Sequence, residues 1–189
     1  MRLTKLTLLG LALTLAATLQ RAAEAAAPSV MYGKSVVVTT NETTVSRPVD
    51  GGAEAAASAR NILSVYISGT GRLFVRSRRT LTSNKLGTVT KDIDTEPDGG
   101  PIGVSTTSDV QFTNSVMTIN LTMIAGTRRI TITFDGSHAT CVAFVTNEKD
   151  GDKPIVIRSR YTGQNREILS IQTSVESCAV RAGNVFAGE

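Results

Sequence analysis

The stretch from Ser115 to Phe134, SVMTINLTMIAGTRRITITF, constrains the fold of this chain more than any other. Apolar and polar residues alternate on both sides of a central break, which is the period of a β-strand and not of a helix. Gly126 and Thr127 read as the two loop residues of a type II′ turn, whose first central position favours glycine. That register sets Met123 opposite Ile130, Leu121 opposite Ile132 and Ile119 opposite Phe134 on one face. Thr122 and Thr131, Asn120 and Thr133, and Thr118 and Asp135 fall on the other, the pattern of a half-buried antiparallel hairpin.

The same grammar recurs along the chain. Asn61 to Ser77 reads as a hairpin whose loop Gly69, Thr70, Gly71 puts Ile67 opposite Leu73 and Val65 opposite Val75, with Gly71 where a left-handed residue is needed. Further strands are expected at Ser35 to Thr39, Leu86 to Thr90, Asp109 to Phe112, Thr140 to Thr146, Ile155 to Arg160 and Arg166 to Val180. Asp150 and Gly151 signal a type I′ turn that would pair Lys149 with Asp152 and Glu148 with Lys153. Residues 41–60 read as a loop around Pro48, Asp50, Gly51 and Gly52, followed by a short alanine-rich helix or spacer, and residues 91–101 as a mobile acidic loop. The count of 8–10 short strands with almost no helix predicts an all-β domain, an antiparallel β-sandwich first and an up-and-down β-barrel second.

The N-terminus has the make-up of a cleavable signal peptide. Arg2 and Lys5 precede an apolar run from Leu6 to Leu19, too short to span a bilayer, and Ala23, Glu24, Ala25 form an A-x-A cleavage site. Removing residues 1–25 takes away Arg2, Lys5, Arg21 and Glu24, so the net charge falls from +4 to +2. Residues 26–189 then form one exported domain, periplasmic or extracellular, with no transmembrane anchor, and the low charge argues against a nucleic-acid partner. The chain has two cysteines, Cys141 and Cys178, which an oxidising compartment would join.

Three groups of residues could carry chemistry. Arg72, Arg76 and Arg78 share one strand face and Arg158 and Arg160 another; as neighbours they would form a positive stripe for an anionic envelope polymer or an acidic protein surface. Asp92, Asp94, Glu96 and Asp98 place hard oxygen ligands at every second residue, the donor type that calcium takes, although Pro97 and the missing distal Glu exclude an EF-hand. His138, the one histidine, lies beside Asp135 and Ser137, but neighbours in sequence do not make a catalytic triad. No other cofactor is indicated. The reading is therefore an exported, non-catalytic binding or structural module of the cell envelope or extracellular space, with the Arg-bearing face as its surface. The rivals are a secreted hydrolase using His138 and a barrel holding a small apolar ligand, which an unfilled interior would reveal.

Overall fold

Alternation decides the course of the first long strand. In β1 (Lys34–Pro48) the even positions Val36, Val38, Thr40 and Glu42 are buried, and Thr44 and Ser46 continue the same face half-exposed. β1 lies at the centre of the larger sheet, between β2 (Ala55–Ile67) and β11 (Asn165–Ala182), so its backbone groups are paired on both sides. The computed structural model describes residues 27–83, 87–93, 102–104, 110–123, 126–148, 151, 154–159 and 163–186. The expected signal peptide, the acidic loop beyond residue 93 and Arg160 lie outside them.

Beyond β2 the larger sheet continues through β3 (Leu73–Ser83), whose far edge carries β4 (Gly87–Ile93) and then β5 (Ile102–Val104) in succession. Its other edge is β10 (Ile155–Arg158), paired with β11. The second sheet has the order β6 (Val110–Thr113), β7 (Val116–Met123), β8 (Gly126–Phe134), β9 (Cys141–Glu148). All pairings are antiparallel, and one of the two sheets curls as a half-barrel. The fold is all-β, as the turn and strand pattern predicts.

Between the sheets one cluster of Val, Ile, Leu, Met and Phe forms the core, with Met31, Ile67, Leu73, Phe112, Met117, Ile119 and Ile132 almost wholly buried. A 3-10 turn at Ser29–Met31 drives Met31 into it. Cys141 in β9 is bonded to Cys178 in β11, so the disulfide joins one sheet to the other.

The hairpin of Asn61 to Ser77 has the expected register, with Ile67 opposite Leu73 and Val65 opposite Val75. Gly71 sits at φ 79°, and a Cβ there would come within 2.9 Å of Tyr32 Oη. Gly71→Ala is therefore expected to cost about 1–2 kcal/mol from the left-handed backbone alone. Gly69→Ala, with nothing within 4 Å and no positive φ, is the control. A thermal melt separates the two, and equal melting temperatures would refute the assignment.

Three local expectations are corrected. First, the β7–β8 turn comes two residues earlier: Met123 pairs with Gly126, Leu121 with Arg128, Ile119 with Ile130 and Met117 with Ile132. Alternation has a period of two, so registers that differ by an even number present the same face and the pattern cannot separate them. Second, Lys149, Asp150, Asp152 and Lys153 of the expected turn lie outside the described residues, and the strands on either side of it do not pair with each other. β9 pairs with β8 and β10 with β11, so the chain crosses between sheets there, and Ile155 pairs with Ile168 on the larger sheet. Third, the segment read as loop or helix over 41–60 is strand apart from the turn at 49–54. Alanine is a poor strand former, but β2 is held by ladders on both sides, and that context outweighs propensity.

Candidate functional site: a cavity between the sheets

The alanines of β2 have a consequence for packing. Ala57 and Ala59 face inward opposite Thr44 and Glu42 of β1, and side chains this short leave space that the core does not fill. A cavity of about 730 Å³ lies between the sheets at that end. Val110, Ile119, Ile130, Leu63 and Val75 form its buried inner wall, and Leu81, Leu121, Met123, Ile155, Ile157, Ile168 and Ile171 its half-exposed outer wall. Along β1 the wall runs from Thr40 to Ser46, roughly 20 Å at strand spacing.

Charged groups sit inside this apolar enclosure. Glu42 is 3% exposed and Arg128 5%, and Arg128 Nη2 donates to Glu42 Oε2 at 2.5 Å from the opposite sheet. Arg79 Nη2 donates to Glu42 Oε1 at 2.6 Å. Arg128 is held in place by bonds from Nε to Asn147 Oδ1 at 2.9 Å and from Nη2 to Thr173 Oγ1 at 3.1 Å. Burial pushes the Glu42 carboxyl up, but the charges and hydrogen bonds of Arg79 and Arg128 outweigh it and hold the group below the ordinary carboxylate value. Asn61, 8% exposed and paired with Arg79 across the β2–β3 ladder, also lines the cavity. Its Nδ2 is buried without a hydrogen-bond acceptor among the described residues.

None of these four residues stands out by motif. Their signal is positional: each is a polar side chain on the inward face of an alternating strand, Glu42 in line with Val36 and Val38, and Arg128 with Ile130 and Ile132.

The residues marked out in the sequence are placed differently. Arg72, Arg76 and Arg78 lie on the outer face of β3, where Arg72 packs over the Phe74 ring at 5.5 Å and Arg76 over Phe186 at 4.9 Å. Arg158 is on β10, its Nε donating to the Gly163 carbonyl at 3.2 Å. β11, β1 and β2 separate the two groups, and that intervening surface holds the ion pairs Arg47–Glu167 at 2.7 Å and Arg60–Glu176 at 2.8 Å. The two groups of arginines therefore lie on strands that are not neighbours.

Asp92 lies in β4 opposite Arg78, whereas Asp94, Glu96 and Asp98 fall outside the described residues. His138 stands in a turn at φ 55°, its ring stacked on Phe134 at 5.6 Å. Asp135 does not orient that ring. Its carboxylate accepts bonds from Ser137 Oγ at 2.6 Å and from the N–H groups of Ala139 at 2.7 Å and Thr140 at 3.1 Å, which lower its pKa. Ser137 donates to Asp135, so the three residues form a self-bonded turn.

No helix among the described residues is long and apolar enough to cross a membrane. Comparison with protein-family models, with curated proteins and with solved structures finds no match to this chain.

Proposed function

We propose that this chain is a binding module that holds a small ligand with an apolar body between its two sheets. The cavity carries the reading. Protein interiors pack to crystal-like density with few voids larger than a water molecule, whereas ligand sites are apolar enclosures of roughly 300–1,000 Å³ with a few fixed polar groups. A volume of about 730 Å³, walled by aliphatic side chains around Glu42, Arg79, Arg128 and Asn61, is of the second kind.

The module works outside the cytoplasm in this reading. The first 25 residues serve as a cleaved export signal, and the Cys141–Cys178 bond suits the oxidising periplasm or extracellular space.

Titration with the neutral dye Nile red tests it. Uptake should saturate at one dye per chain with a blue-shifted emission, and alkyl ligands should displace the dye with affinity rising about fourfold per added methylene, the equivalent of ~0.8 kcal/mol. Ala57→Phe projects a ring into the cavity and should abolish uptake while the protein remains folded. Uptake that does not saturate, or that survives Ala57→Phe unchanged, would refute the proposal.

A further inference from the structure

We infer that the ligand's polar end is a carboxylate, received by Arg79 and Arg128 beside Glu42, so that the natural guest is a single-chain fatty-acid-like anion. This rests on the cavity being a ligand site. The argument starts from charge. Among the described residues lining the cavity the ionisable ones are Glu42, Arg79 and Arg128, one negative against two positive. Glu42 is already shared: Oε1 accepts from Arg79 and from Thr44 Oγ1, and Oε2 accepts from Arg128. Among the described residues the two arginines carry one positive charge more than Glu42 balances, shared between Arg128, whose side chain is 6% exposed, and Arg79, 29% exposed. An uncompensated charge in such a place is costly, and an anion entering the cavity removes the cost.

The hydrogen-bond inventory points the same way. A guanidinium has five N–H donors and no acceptor, and the buried Asn61 Nδ2 adds two donors without a partner among the described residues. The charged donors of the site, two guanidiniums, outnumber its one charged acceptor, Glu42. A carboxylate offers only acceptors, and a guanidinium fork matches its two oxygens. A cationic head would meet the surplus positive charge, and a hydroxyl head would leave it uncompensated. The aliphatic side chains of the other strands, among them Leu63, Val75, Ile119, Leu121, Ile155 and Ile168, give the chain of the guest its place.

Calorimetric titration with laurate, dodecanol and dodecyltrimethylammonium, below their aggregation concentrations at neutral pH, separates the heads at constant chain length. Laurate should bind at least about tenfold more tightly than either of the others, the worth of one hydrogen bond to a charged group. Arg79→Gln should abolish that preference, so that laurate and dodecanol bind the variant about equally. This variant keeps the Glu42–Arg128 pair, and the Arg79 side chain is 29% exposed, so the protein still folds. Arg79→Lys should restore part of the preference. Equal binding of laurate and dodecanol, tighter binding of the ammonium, or a preference that survives Arg79→Gln would each overturn the carboxylate while leaving the cavity a ligand site. Binding by none of the three would overturn both readings.

Discussion

Glu42→Gln is expected to remove about 3–5 kcal/mol of stability, because it takes the carboxylate from between two guanidiniums, one of them buried. The new side chain has nearly the same shape, so packing is kept and the loss reports charge. Replacing Glu42 and Arg128 together by Leu and Met should cost less than Glu42→Gln alone, since an apolar pair of similar volume avoids burying the Arg128 charge. Urea unfolding of the three proteins decides the matter; a Glu42→Gln midpoint equal to the wild type would show that the ion pairs contribute nothing.

Acid gives an independent check with a definite sign. The Glu42 pKa is lowered in the folded state, so its contribution is complete above the ordinary carboxylate value and is lost as the pH falls from there through the lowered one. The gap between wild type and Glu42→Gln should therefore be widest near neutrality and narrow in acid. Asp135 and Glu176, also lowered, are exposed and present in both proteins, so they cancel in the difference.

Breaking the Cys141–Cys178 bond has the second large effect. The bond closes a loop with a sequence separation of 37, for which chain entropy gives about 4 kcal/mol, or a fall in melting temperature of roughly 8–16 °C for a domain of this size. Cys141→Ser with Cys178→Ser should show this fall without added reductant, and dithiothreitol should bring the wild type to the same melt. A double variant that melts with the oxidised wild type would mean that the covalent link between the sheets adds no stability.

Much of the architecture was legible because strands and turns have local signatures. Gly71 between Ile67 and Leu73 fixes a register by itself, and the run from Ile119 to Phe134 shows which side is buried. What local pattern leaves open is how far a strand slides and which distant strand it meets. Met123 opposite Gly126 and Met123 opposite Ile130 bury the same face, so alternation alone does not separate them. Asp150–Gly151 has hairpin chemistry, but β9 and β10 join different sheets.

The site was less legible for a related reason. Glu42 lies in a segment that Pro48, Asp50, Gly51 and Gly52 mark as a loop, and its partners Arg79 and Arg128 stand 37 and 86 residues away. An inward charge is meaningful only once its strand is known to be central. The arginines that do cluster in sequence, Arg72, Arg76 and Arg78, share a face for the ordinary reason that solvated strands carry charge outward.

The position of the disulfide bears on how a guest could enter. Cys178 pairs with Val38, one step from the inner wall of the cavity, while the residues around Thr44, Ser46, Ile155 and Ile157 lie toward the other end of the sandwich. With two cysteines in the chain, no second disulfide joins the sheets, and at the other end the chain itself passes from β9 to β10. The sandwich is thus riveted at one end, while beyond the Glu42–Arg128 pair its half-exposed wall near Leu121 and Ile168 is held by side-chain contacts and the passage from β9 to β10.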